Sequence, residues 1–106
     1  MKLTDKEMEI MSVMWSSDVP LTATEIVEAS SNRTWKENSI YIIMNTLIKK
    51  GAVSLSHRKP TATNTARAYK PTITAEEYAV RYIASVIDSG VRIDVRELIE
   101  QLQAKG

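Results

Sequence analysis

The sequence contains no cysteine, one histidine and only three glycines. Without cysteine there is no disulfide framework, no thiol nucleophile and no thiolate metal site. Gly51, Gly90 and Gly106 are too far apart to form a glycine-rich phosphate loop. A hydrolase would need Asp18 or His57 in an acid/base pair, and no spacing in the sequence supports one. We therefore expect no enzyme activity, no metal and no cofactor.

The sequence also lacks long apolar runs. No stretch approaches the roughly 20 apolar residues that a membrane span needs, and the acidic, amphipathic N-terminus does not resemble a signal peptide. The length of 106 residues, with 43% hydrophobic and 25% charged residues, is typical of one globular domain with at most a small appendage. The sequence therefore predicts a cytoplasmic protein that does not contact a membrane.

Positive charge is concentrated in the middle of the chain, although the formal net charge is only +1. Residues 1–31 carry a net charge of −4, residues 32–70 carry +7 and residues 71–106 carry −2. The central segment has eight basic residues: Arg33, Lys36, Lys49, Lys50, Arg58, Lys59, Arg67 and Lys70. Such a cluster is typical of a surface that contacts DNA phosphates, and the alternative is a solvated basic surface.

Residues 38–50 have the periodicity of a helix with two different faces. Apolar residues at i, i+3, i+4, i+7 and i+8 predict a buried face made of Ile40, Ile43, Met44, Leu47 and Ile48. At about 100° per residue, the opposite face is centred near Ile42 and Lys49 and is flanked by Asn38, Ser39, Asn45 and Thr46. Amides can pair with adenine and methyl groups can pack on thymine. This face therefore predicts a DNA recognition helix, with a solvated surface and one stray isoleucine as the alternative.

Other helix signals are local and regular. Capping boxes predict helix starts at Thr4, Thr22 and Thr74, and Asp94 is a candidate cap for a last helix. The first helix has an apolar stripe that we assign to the core: Met8, Met11, Met14 and Trp15.

Between the central and C-terminal helices the pattern changes to that of a β-hairpin. Gly51 suits a left-handed helix end, and the alternation in residues 52–57 predicts a strand with Val53 and Leu55 on its buried face. A second strand is predicted around residues 68–70, ended by Pro71. Residues 58–65, rich in threonine, are predicted to form a long basic tip.

The pattern of the last third of the chain predicts two amphipathic helices, and their apolar surface is larger than a small core can cover. We therefore predict a homodimer, with packing of these helices back on their own domain as the alternative. The predicted interface residues are Tyr78, Tyr82, Ile83, Val86, Ile87, Leu98, Ile99 and Leu102.

The order of the predicted elements indicates a winged helix-turn-helix. The fold is predicted to be mainly α with a small β-hairpin. Residues 1–73 are expected to form the DNA-binding domain, and residues 74–106 the C-terminal dimerisation helices.

Three segments resemble the penicillinase repressor (BlaI/MecI/CopY) family. They are residues 7–15, residues 21–27, and Thr34-Trp35 followed by residues 47–53. The resemblance implies a homodimeric repressor of resistance or stress genes that binds a palindromic double-stranded DNA operator, with a sensor or protease as a further partner.

The outward face of the helix and the resemblance together give the predicted DNA contacts. The predicted base-reading residues are Asn38, Ser39, Ile42 and Asn45. The predicted phosphate-contacting residues are Arg33, Trp35, Lys36, Lys49, Arg58, Lys59 and Arg67.

The sequence also departs from the family pattern. The family typically has threonine and arginine where this chain has Ile42 and Thr46, which implies a different operator. The wing is longer at residues 60–65, and the cysteine cluster of the copper-responsive branch is absent. The sequence therefore does not identify the inducer. A second hypothesis is a winged-helix module that binds another protein through the exposed Ile42 and Tyr41.

Overall fold

The computed structural model describes residues 1–106, and its helices begin where side chains cap them. In α1 (Asp5–Trp15), α2 (Ala23–Ala29) and α4 (Ala75–Asp88), the threonine before the helix and a glutamate in the first turn accept each other's backbone N–H. Asp94 caps α5 (Val95–Lys105) by accepting two N–H groups of its first turn. These bonds satisfy amides that a helix start leaves unpaired. All four predicted helix starts are confirmed.

The central helix is shorter than the predicted segment 38–50. Helix α3 spans Ile40–Lys49, and a 3₁₀ turn over Glu37–Ser39 leads into it. No side chain caps either element, and the tighter turn satisfies the Ser39 N–H on the Lys36 carbonyl oxygen at 2.9 Å. Gly51 follows the helix with φ +79°, the left-handed conformation predicted for it.

Three strands form an antiparallel sheet in the order β1 (Leu21–Thr22), β3 (Thr65–Pro71), β2 (Val53–Pro60). The hairpin strands pair as far as Pro60 and Thr65, so only residues 61–64 form the turn at its tip. The Thr61 N–H closes this turn on the Asn64 carbonyl oxygen at 2.7 Å. The prediction of a long loop over residues 58–65 is therefore wrong, because most of that segment is strand.

Burial along β2 also differs from the prediction. Val53 is buried as expected, but Leu55 is 51% exposed. None of residues 55–67 is buried, and the strand pairing is irregular between Leu55 and Arg58. The core therefore does not cover the side of the hairpin on which Leu55 lies.

One apolar core holds the first three helices on the sheet. Its fully buried side chains are Ile10, Met11, Ile26, Met44 and Leu47. Ile73 and Tyr78, on either side of the boundary predicted at residue 73, belong to the same core. The division into residues 1–73 and 74–106 stays a prediction. The winged-helix architecture, mainly α with a small sheet, is confirmed.

The C-terminal helices do not fold back onto this core. Helix α4 buries only Tyr78, α5 buries no residue, and the molecule measures 53 × 27 × 24 Å. The two helices therefore present their apolar stripes to solvent in the single chain.

Candidate nucleic-acid interface

Helix α3 turns one face to the core and the other to solvent, as its periodicity predicts. Ile40, Met44 and Leu47 are buried, whereas Ile43 and Ile48 are partly buried against the same core. On the opposite side Ile42 is 71% exposed. Asn45 and Lys49 are exposed with it. The side of the helix opposite the core thus presents one aliphatic side chain, one amide and one cation to solvent.

The loop before α3 is held by a carboxylate on α1. The Thr34 N–H and hydroxyl both donate to the Glu9 carboxylate, at 3.0 and 2.5 Å. These hydrogen bonds, with the hydroxyl contributing most, hold the pKa of Glu9 below its ordinary value of 4.5. Sequence reasoning missed Glu9, because it lies 25 residues from its partner and no local pattern connects the two.

The end of α3 is also attached to α1. The Lys50 ammonium contacts Glu7 Oε1 at 2.5 Å and donates to the Lys2 carbonyl oxygen at 2.9 Å. Burial opposes ionisation of Glu7, but the Lys50 ammonium and the Thr4 N–H outweigh it and lower the pKa of this carboxyl. Two carboxylates of α1 thus fix both ends of the segment that carries the exposed face.

The predicted base-reading residues lie on two consecutive elements. Asn38 and the half-buried Ser39 are on the 3₁₀ turn, whereas Ile42 and Asn45 are on α3. The Thr46 hydroxyl donates to the Ile42 carbonyl oxygen at 3.0 Å. Since this hydroxyl is bonded within the helix, Asn38 and Asn45 are the amides free to pair near Ile42.

Trp35 does not belong to the surface predicted for it. Its side chain is 3% exposed and lies in the core, so the prediction that it contacts phosphate is wrong. Its indole N–H has no hydrogen-bond partner, and the Arg33 guanidinium lies 5.5 Å from the ring centroid. The tryptophan therefore packs in the core with Arg33 next to its ring. Burial of the large apolar ring stabilises the fold, and the nearby guanidinium can add a cation–π interaction.

Lys59 is also placed differently from the prediction. Its ammonium donates to both Glu25 carboxylate oxygens, at 2.9 and 3.2 Å, and to the Pro20 carbonyl oxygen at 2.9 Å. All the donors of the ammonium are therefore used within the protein. The phosphate contact predicted for Lys59 is corrected to a structural tie between the wing and α2.

The other predicted phosphate-contacting cations are on the surface. Arg33, Lys36, Lys49, Arg58 and Arg67 are all exposed. Arg67 donates to the Ser56 carbonyl oxygen at 2.8 Å across the hairpin, and Arg33 lies 4.0 Å from Glu37. These cations lie on the loop before α3, on α3 and on the wing, so they flank the exposed face as a phosphate-binding surface requires.

Tyr41 is a further candidate that the predicted DNA contacts omit. It is exposed on α3 and lines a small cavity with Thr24 of α2 and with Ala66 and Arg67 of the wing. Three elements of the proposed interface therefore meet at this ring. In the sequence, only the position of Tyr41 next to Ile42 indicates that it could belong to this interface.

The predicted dimer surface is also revised at one position. Tyr78 is 8% exposed, and its hydroxyl oxygen accepts the Leu3 N–H at 3.1 Å, so it is a core residue and not an interface residue. Tyr82, Ile87, Ile99 and Leu102 are exposed, and Ile83, Val86 and Leu98 are partly buried.

No three histidine, aspartate or glutamate side chains of the chain converge as metal ligands would. No helix has both the length and the apolar character needed to cross a membrane.

Helices α2 and α3, with the wing formed by β2 and β3, define a winged helix-turn-helix protein. The sequence matches the penicillinase repressor family over residues 3–105, so this chain belongs to that family. The family is one of transcriptional repressors and not of enzymes.

One relative agrees with this assignment. The chain is 34% identical over 77 residues to the penicillinase repressor of Bacillus licheniformis, a match that covers 73% of this chain and 56% of the relative. This chain thus spans little more than half the length of that relative.

Solved structures add a likeness of fold. The ferric uptake regulator Fur of Helicobacter pylori superposes with a TM-score of 0.52 at 18% identity, over 89% of this chain and 73% of Fur. A mutant of MepR from a multidrug-resistant clinical isolate of S. aureus gives a TM-score of 0.47 at 14% identity, over 98% and 77% of the two chains. The second score is too low to carry an argument.

Proposed function

We propose that this protein is a homodimeric transcriptional repressor that places α3 in the major groove of a palindromic DNA operator. The observation that carries the proposal is the outward face of α3, where exposed Ile42 and Asn45 are flanked by the cations of the loop and the wing. Base edges would be read by the side chains at the centre of this surface, and phosphates would be bound by the cations around it.

The proposed dimer rests on the C-terminal helices. Their exposed apolar side chains include Tyr82, Ile87, Ile99 and Leu102, and nothing in the single chain covers them. A second copy would bury these stripes isologously, and its two-fold symmetry would match two half-sites of a palindrome.

The regulated genes are proposed by analogy with the family. By its name, the Bacillus licheniformis relative represses penicillinase. We propose that this chain acts in the cytoplasm on a resistance or stress gene, and that a sensor or protease relieves the repression.

Selection of bound sequences from a random duplex pool tests the DNA-binding proposal. We expect a palindromic consensus and an affinity that falls steeply with salt concentration. Asn38→Ala should change the sequence preference, whereas Lys49→Ala should weaken specific and random DNA equally. If both variants weakened the two kinds of DNA equally, base reading by this surface would be wrong.

A protein-interaction module is the second candidate, and the exposure of both Tyr41 and Ile42 favours it, since aromatic and aliphatic side chains anchor protein interfaces. A mobility-shift assay with random duplex at low salt separates the two functions. A repressor of the proposed kind binds the duplex weakly, whereas a protein-binding module gives no shift.

A further inference from the structure

Ile42 has a larger exposed fraction than any other large apolar side chain of the protein. It lies on α3, four residues after Asn38 and three before Asn45, so all three share one side of the helical segment. Covering an exposed isoleucine side chain removes apolar surface from water, so a partner that covers Ile42 would bind more tightly.

The chemistry of the major groove limits what that partner group can be. Phosphates and most base edges offer charges or hydrogen-bonding atoms, which a branched aliphatic side chain cannot satisfy. The thymine C5-methyl group is the apolar group that a base pair displays there. The amides of Asn38 and Asn45 suit adenine, so the chemistry around Ile42 is that of A·T pairs.

Three contacts support this assignment. The Thr46 hydroxyl is bonded to the Ile42 carbonyl oxygen, so it does not add a polar group beside the isoleucine side chain. Helix α3 is held at its end by Lys50 on Glu7, and the loop before it by Thr34 on Glu9. The C-terminal end of the helix that carries Ile42 and the loop that precedes this helix are therefore both attached to α1 before DNA binds.

We propose that Ile42 reads the C5-methyl group of one thymine in each operator half-site. This inference rests on the proposed DNA-binding function and specifies the base chemistry at its centre. The methyl group would pack on the isoleucine side chain, and neither hydrogen bonding nor charge would contribute to that contact.

Replacing thymine by deoxyuridine tests the contact, because the substitution removes only the methyl group. Each thymine of the selected operator is replaced in turn, symmetrically in both half-sites, and affinity is measured by titration. Replacement of the contacted thymine in both half-sites should weaken binding by about fourfold for each half-site. This value corresponds to the transfer free energy of one methyl-sized group from water to an apolar contact. The other positions should change affinity by less than about twofold, since their methyl groups meet water or polar atoms.

Two variants complete the experiment. Ile42→Ala should lose most of the preference for the thymine operator over the uracil operator, because only one methyl group of the side chain remains to contact the thymine. Val19→Ala is the matched control, since Val19 is also a β-branched residue with an exposed side chain but lies in the loop between α1 and β1, outside the proposed DNA contacts and the proposed dimer stripes. It should keep the full preference for thymine. Circular dichroism melting confirms that both variants fold.

The possible failures are distinguishable. If the protein binds an operator but no thymine is sensitive to methyl removal, or Ile42→Ala keeps the same sensitivity, the inference about Ile42 is overturned and DNA binding stands. If the protein binds no DNA at all, the proposed function is overturned, and the inference falls with it.

Discussion

Lys59 on the wing and Glu25 on α2 form an ion pair with nitrogen–oxygen distances of 2.9 and 3.2 Å. Glu25 also closes the capping box of α2 by accepting the Thr22 N–H at 2.9 Å. That backbone hydrogen bond first, and then the Lys59 ammonium, hold the pKa of Glu25 below its ordinary value of 4.5. One carboxylate therefore both starts a helix of the helix-turn-helix and fixes the wing beside it.

This pair predicts different roles for two neighbouring cations. Arg58→Met should make the slope of log affinity against log salt concentration less steep by about 0.9 for each half-site, because each protomer of the proposed dimer loses one exposed phosphate contact. Lys59→Met should leave this slope unchanged, since its ammonium is bound to Glu25, and should weaken binding only by freeing the wing. Titrations at four salt concentrations measure both slopes. Equal reductions would mean that Lys59 leaves Glu25 to bind phosphate.

The Glu7–Lys50 pair predicts a loss of stability in acid. The pKa of Glu7 is lowered in the folded protein, so its contribution is fully present above about pH 4.5 and is lost as pH falls through the lower, folded value. Glu7→Gln should lower the free energy of unfolding at pH 7 by about 2 kcal/mol, because a buried hydrogen bond between charged groups is lost. The variant should also lose less stability than the parent below pH 4.5.

Urea unfolding at several pH values measures this effect. Glu28→Gln serves as the control at pH 7, because this exposed carboxylate forms no ion pair. It should change stability by less than about 0.5 kcal/mol. A parent and Glu7→Gln variant with the same dependence on pH would contradict the assignment.

The first turn of α4 is expected to contribute to the stability of the winged domain. Tyr78→Phe leaves the buried Leu3 N–H without its partner and should cost about 1–2 kcal/mol. Tyr82→Phe is the matched control, because Tyr82 is on the same helix but exposed, and should cost less than about 0.5 kcal/mol. Urea unfolding compares the two, and equal losses would show that the Tyr78 hydroxyl makes no net contribution.

The proposed dimer predicts that a charge on the apolar stripe of α5 produces monomers. Leu102→Asp should shift the protein to the monomer in sedimentation velocity, because an unpaired carboxylate would be buried between two copies. It should leave the winged domain folded, since Leu102 is exposed in the single chain. Ala104→Asp, which adds the same charge on the opposite side of α5, should remain dimeric. A dimer that survives Leu102→Asp would place the interface elsewhere.

Much of the fold followed from patterns within a few residues. The capping boxes at Thr4, Thr22 and Thr74 involve partners three residues apart, and Gly51 was identified by its need for a positive φ. The buried face of α3 could be predicted because a helix repeats every 3.6 residues, whatever it packs against. The same periodicity predicted that Ile42 points outward.

Residue roles that depend on distant partners could not be predicted in the same way. Trp35 and Tyr78 looked like surface contacts by position, but both are buried in the shared core. The sequence predicts that Lys59 contacts phosphate, but the fold pairs its ammonium with Glu25, 34 residues earlier in the chain. Leu55 fits the alternation of a buried strand face, yet no other element of the fold covers its side chain.

The sequence by itself therefore determined where four of the helices begin, which side of α3 faces the core, and where positive charge is concentrated. These properties depend on hydrogen bonds and periodicity within one element. The tertiary structure alone decided which cations are free, which aromatic rings are buried and which carboxylates hold α3 in place. Those properties depend on contacts between residues far apart in the chain, whose burial and pairing are set only when the elements pack together.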